Sequence, residues 1–125
     1  KLDENSPIYM QIIDFIRGGL AAGTIVYGDE LPSRRVLSAI LGINPNTVQK
    51  AYAMLEAGEL IRSHTGAKSC ISASPQKIAE IKGALAEEGG RRAVQTLKAA
   101  GYSKAEAIAM IERYWDAEDR RESEK

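Results

Sequence analysis

Residues 31–58 read LPSRRVLSAILGINPNTVQKAYAMLEAG, and the fold turns on how this stretch divides. Ser33 offers a hydroxyl that accepts from the free amides at a helix start. Val36, Leu37, Ile40 and Leu41 supply the apolar side of a short helix, which Gly42 stops because glycine takes the left-handed turn at low cost. Only Ile43 and Asn44 separate Gly42 from Pro45, whose missing donor costs nothing in the first turn of a following helix. That helix is expected from Pro45 to Ala57. Two short helices joined by a tight glycine-containing turn make a helix-turn-helix.

Upstream, Ser6-Pro7 signals a helix start with the serine as cap, and Ile8, Ile12, Phe15, Ile16 and Leu20 recur on one helical face before Gly23. Tyr27 to Pro32 reads as a loop with room for a short extended piece. Downstream, Leu60 to Ser72 holds two short β-compatible runs around a glycine turn, read as a hairpin. Ser74-Pro75 opens another helix carrying Ile78, Ile81 and Leu85, which Gly89-Gly90 is expected to interrupt, leaving Arg91 to Ala100 as a separate short helix. Gly101 closes it, and Ser103 and Glu106 form a capping box for a last helix lined by Ile108, Ile111 and Trp115. Asp116 to Lys125 is almost wholly charged and is expected to fray. The expected class is mainly α with some β: a winged helix-turn-helix over residues 1–73 with a two-stranded wing, then a helical dimerisation segment over 74–125.

A chain of 125 residues holds one compact domain, or a small domain with a helical appendage, and not a large enzyme with a separate cofactor domain. The formal net charge is zero, and residues 1–73 carry seven basic and seven acidic side chains, so any nucleic-acid contact must come from a local patch. Cys70 is the only cysteine, which excludes an intrachain disulfide and a thiolate-rich zinc site. A reducing cytoplasm is the expected location. Apolar runs are too short to cross a bilayer and the start lacks the pattern of a signal peptide, so no membrane partner is expected. The first residue is Lys1, as in a chain trimmed at its start. His64 has no second histidine beside it, so a surface contact is expected there and not catalysis or metal binding. No cofactor, no metal and no enzymatic activity are predicted.

The helix after the turn has two unlike sides. Val48, Ala51, Tyr52 and Leu55 fall on one, and Asn46, Gln49, Lys50 and Ala53 on the other. Amide side chains both donate and accept at base edges in a major groove, and alanine permits close approach. Asn44 and Thr47 flank the helix start, where free amides and the positive dipole end meet phosphate. A glycine-tipped hairpin directly after a helix-turn-helix is the order of a winged helix, whose hairpin lies along the backbone or in the minor groove.

Leu31-Pro32-Ser33-Arg34-Arg35-Val36-Leu37, then Leu41 to Tyr52, then Leu55-Glu56, resemble the winged-helix domain of the GntR regulators over about Pro7 to Ile71. The NPNTVQKAY stretch and short C-terminal part look most like the small YtrA-like branch, whose members are dimeric repressors with dimerising C-terminal helices. The resemblance implies double-stranded DNA as partner and a homodimer. It puts Arg35 on the arginine of the proline-serine-x-arginine motif, with Ser33 and Arg34 beside it. Asn44, Asn46, Thr47, Gln49 and Lys50 fall on recognition-helix positions, and His64 and Gly66 on the wing tip. Lys68 stands where the family has a second wing glycine, and is expected either to add a phosphate contact or to block the close backbone approach that glycine allows; Cys70 stands at an aromatic position, as a small buried apolar residue. Gly58 falls one position early before Leu60-Ile61. Leu85, Leu97, Ile108, Ile111 and Trp115 are the expected dimer contacts. No separate effector domain is expected, any small-molecule effector lodging between subunits. A winged helix used as a protein-interaction module is the alternative, supported by the neutral charge.

Overall fold

The computed structural model describes residues 5–63 and 68–123. Within them the chain runs α1 (Ile8–Ala22), β1 (Glu30–Leu31), α2 (Arg34–Leu41), α3 (Pro45–Ala57), β2 (Ile61–Ser63), β3 (Ser69–Ile71), α4 (Pro75–Ala99) and α5 (Lys104–Ser123). It divides into two compact units, one ending at Leu85 and the other starting at Ala86.

The core of the first unit forms where α1 packs on α3: Ile12, Ile13, Ile16 and Leu20 cluster with Val48, Ala51, Tyr52 and Leu55, and Leu60, Ile61, Ile71, Ala73 and Ile81 complete it. Phe15, expected on the buried stripe, is instead 73% exposed. At 3.6 residues per turn it lies about 100° from the centre of the Ile12, Ile16, Leu20 stripe, whereas Ile13 lies about 60° away and takes its place. Ser6 does not cap α1. Pro7 occupies the cap position, and its carbonyl accepts from the amides of Met10 and Gln11 at 3.1 and 3.2 Å. Ser6 contributes its own carbonyl, which accepts from Gln11 Nε2 at 2.9 Å.

The turn between α2 and α3 is built as expected. Ser33 Oγ accepts from the Val36 amide, Asn44 Oδ1 accepts from the Asn46 amide, and Gly42 is left-handed at φ 67°. The amides of Gly42 and Ile43 both bond the Ser38 carbonyl, while buried Ser38 Oγ donates to the Ile43 carbonyl at 2.6 Å. Of the apolar side expected on α2, Leu37 and Leu41 are half-buried and pack on the core, but Val36 and Ile40 are exposed. An eight-residue helix beside a turn closes over a narrow strip, and Ser38, by satisfying its hydroxyl locally, takes the deepest position.

Among the described residues the sheet has three strands: the expected wing pair of β2 and β3, and β1, within the stretch expected to hold a short extended piece. β3 is central, pairing antiparallel with β2 (Ile61 with Ile71, Ser63 with Ser69) and with β1 (Glu30 with Cys70, Leu31 with Ser69). β1 is two residues long, too short to show alternation, and is fixed by bonds from the amide of Gly28 to the Ile71 carbonyl and from that of Ile71 to the Asp29 carbonyl.

α3 leaves through Gly58 and Glu59, and here the backbone explains a departure in sequence. Gly58 has an ordinary φ of −84°, whereas Glu59 sits at φ 65°, the left-handed region that glycine favours. Glycine therefore stands one residue before the position whose conformation suits it.

α4 is one continuous helix through Gly89-Gly90, against the expected interruption. Arg91 pairs with Glu87 at 2.8 Å and Arg92 with Glu88 at 3.4 Å, so two i,i+4 ion pairs bridge the glycines. Ile78, Ile81 and Leu85, in its first half, pack on the winged-helix core. In the second unit, left-handed Gly101 ends α4, with the Tyr102 amide bonding the Leu97 carbonyl. The capping box forms reciprocally: the Ser103 amide donates to Glu106 Oε1 at 2.8 Å and the Glu106 amide to Ser103 Oγ at 3.1 Å. α5 continues to Ser123, past the expected fraying point, because glutamate and arginine are good helix formers.

Replacing Glu59 with glycine relieves a strained backbone at the expense of unfolded-state entropy, so Glu59→Gly is expected to stabilise the first unit by up to about 1 kcal/mol. Urea unfolding of the two proteins checks this; an unchanged or lower midpoint contradicts the strain argument.

Candidate nucleic-acid interface

The inward side of α3 is closed. Val48 and Ala51 are fully buried, and Tyr52 donates its hydroxyl to the Pro32 carbonyl at 2.7 Å, fastening α3 to the chain two residues before α2. Burial raises the Tyr52 hydroxyl above its ordinary pKa, with the Arg34 charge opposing. The outward side presents Asn46, Gln49, Lys50 and Ala53, all exposed, with Thr47 half-buried at the first turn. Asn44 is exposed and its side-chain oxygen is committed to the cap, which orders the helix start.

The cations around this helix differ in their surroundings. Arg35, second in α2, is exposed. Arg34 turns back: its guanidinium carbon is 5.0 Å from the Tyr52 ring centre and its terminal nitrogen 3.9 Å from Glu56 Oε1. Lys50 Nζ lies 4.0 Å from the Tyr9 ring centre, a cation–π contact that directs the ammonium while leaving the residue exposed. Lys68 Nζ lies 3.7 Å from Glu30 Oε1, both exposed, a pair that salt and water weaken. Arg62 is exposed on β2, and Cys70, expected to be buried, is only half-buried on the central strand. His64 and Gly66 lie outside the described residues.

The structure thus brings Ser33, Arg35, Asn44, Asn46, Thr47, Gln49 and Lys50 onto the helix-turn-helix, and seats Lys68 immediately before β3. Tyr9, Glu56 and Ser63 were not legible as participants. Their contacts, Tyr9 with Lys50, Glu56 with Arg34 and Ser63 with Glu56 Oε1 at 3.3 Å, join different elements and leave no local periodicity.

Residues 8–69 match the family model described as "Bacterial regulatory proteins, gntR family". A solved GntR family transcriptional regulator from Listeria monocytogenes superposes with a TM-score of 0.79 at 30% identity, over 90% of this chain and 98% of that one. The chain belongs to the GntR family. A second GntR-family structure, YtrA from Sulfolobus acidocaldarius, is 32% identical over 94% of this chain and 97% of its own, with a TM-score of 0.55. The repressor YtrA of Bacillus subtilis is 43% identical over 68 residues, 54% of this chain and 52% of that protein. The chain is thus a YtrA-like GntR protein, and GntR proteins are DNA-binding transcriptional regulators, not enzymes. No helix among the described residues is long and apolar enough to cross a membrane.

Tyr52→Phe removes the bond to the Pro32 carbonyl and is expected to cost about 1 kcal/mol of stability near neutral pH. With a folded pKa raised above the ordinary 10.0, the Tyr52 contribution is full below that pH and is lost as pH rises beyond it. Alkaline unfolding curves should therefore fall less steeply in the phenylalanine variant. Identical alkaline slopes contradict this assignment.

Proposed function

We propose that this GntR protein is a cytoplasmic repressor that binds a palindromic operator as a homodimer. The observation that carries the reading is α3 itself, whose polar side is open while its apolar side is locked into the core. Asn46, Gln49 and Lys50 read base edges, and Thr47, with the capped helix starts at Ser33 and Asn44, meets phosphate. Arg35 grips the backbone at the start of α2, and Lys68, His64 and Gly66 serve the wing. The name of the Bacillus subtilis relative, a repressor, supports the sign of regulation.

Residues 1–73 are the DNA-binding part in this reading and 74–125 the dimerisation part. In the second unit Val94, Ile108, Ile111 and Trp115 are exposed, and Val94, Leu97, Ile108 and Ile111 line a largely apolar groove of about 510 Å³. Apolar area of this kind is costly in water and is covered when two copies meet. Leu85 is half-buried against its own core, so the contact centres on Leu97, Ile108, Ile111 and Trp115. A twofold pair presents two recognition helices to two half-sites roughly one helical turn apart.

Selection from a random DNA pool tests the reading, with enriched inverted repeats as the expected result; a pool that gives no enrichment favours the protein-interaction alternative. On the selected site, Arg35→Ala should weaken binding to all sequences and lower the log–log salt slope by about 0.9. Asn46→Ala or Gln49→Ala should instead change the preferred base, by about 1–3 kcal/mol per lost contact. Ile111→Glu combined with Trp115→Glu should yield a folded monomer in sedimentation velocity, and a variant that stays dimeric refutes this interface.

A further inference from the structure

Arg34 and Arg35 are neighbours at the start of α2, yet only Arg35 stands in solvent. The Arg34 side chain is 28% exposed, its guanidinium over Tyr52 and 3.9 Å from Glu56 Oε1, and its Nε is buried without a hydrogen-bond partner among the described residues. The same Glu56 oxygen accepts from Ser63 Oγ at 3.3 Å, and Ser63 Oγ lies 3.3 Å from Ser69 Oγ. One carboxylate near the end of α3 therefore touches the start of α2 and, through Ser63, both strands of the wing.

An ion pair this long and this wet adds little to folding stability. Beside a polyanion the charge itself matters more. An uncompensated carboxylate on the recognition helix repels phosphate, and the Arg34 guanidinium cancels it where it stands.

We infer that Arg34 is a positioning residue, the counter-ion of Glu56 and not a phosphate contact, and that Glu56 holds the wing in line with the recognition helix through Ser63. The inference rests on the DNA-binding reading of α3. It separates the two adjacent arginines by role: Arg35 engages DNA, and Arg34 neutralises and orients.

A double-variant cycle on the full chain tests it, with binding to the selected operator measured by fluorescence anisotropy across a salt series. Arg34→Gln is expected to weaken binding about fivefold, because Glu56 is left unpaired. Arg34→Gln with Glu56→Gln should return to within about twofold of the parent protein, with its salt slope unchanged. If Arg34 contacts phosphate, the slope falls by about 0.9 whether residue 56 is Glu or Gln and the double variant stays weak, which overturns the inference while leaving the DNA-binding reading intact. A parent protein that binds no DNA overturns both. For the wing, hydroxyl-radical cleavage of the bound operator is expected to lose wing protection in Glu56→Ala and keep it in Glu56→Gln, which retains an oxygen for Ser63. Equal footprints from these two variants overturn the wing assignment. Thermal melts of all variants should coincide with the parent, since every substituted side chain is at least partly exposed.

Discussion

The outward side of α3 is available to a partner only because its inward side is saturated by α1. Val48, Ala51, Tyr52 and Leu55 meet Ile12, Ile13, Ile16 and Leu20 with almost no residual exposure, so the helix cannot roll to hide its amides without opening the core. Tyr52 adds direction to this packing. Its ring fills the centre and its hydroxyl is satisfied at the Pro32 carbonyl, which fixes where the chain enters α2 and hence where Arg35 emerges. The functional surface is in this sense set by residues that never reach it.

The parts legible in the sequence were those whose signals are local. Ser33 as a cap, left-handed Gly42, Pro45 in the first turn and the Ser103–Glu106 capping box each act within a few residues, so spacing alone discloses them. What escaped depends on competition between elements. Phe15 and Ile13 both fit a coarse apolar pattern, and only the direction of α3 decides between them. β1 falls where a short extended piece is expected, but its pairing with the free edge of β3 is not readable from two residues of sequence. Gly89-Gly90 reads as a break by propensity, yet flanking charge pairs and good helix formers on both sides carry the helix through.

Glu59 shows the same limit from the other direction. The glycine before the Leu60-Ile61 pair is one residue out of step with the family pattern, and register alone suggests a changed connection. The structure keeps the connection and moves the cost: the backbone stays left-handed at position 59 and a glutamate bears it. Topology here is held by Leu60 and Ile61 entering the core, whose burial outweighs the penalty of one unfavourable φ.

Charge is where composition misleads most. A balance of seven basic and seven acidic residues over the first 73 gives no field that attracts a polyanion, but net charge averages over a surface that the fold divides. Glu56 and Glu30 lie beside Arg34 and Lys68, each with a cation within 4.0 Å. Arg35, Lys50 and Arg62 remain exposed around α3 and β2. A regulator with this charge balance has little long-range attraction to spend on arbitrary DNA, so under the proposed reading more of its affinity falls to short-range contacts with its operator. Near-neutrality then works in favour of selectivity, since the sequence-independent part of binding is the part that a balanced charge suppresses.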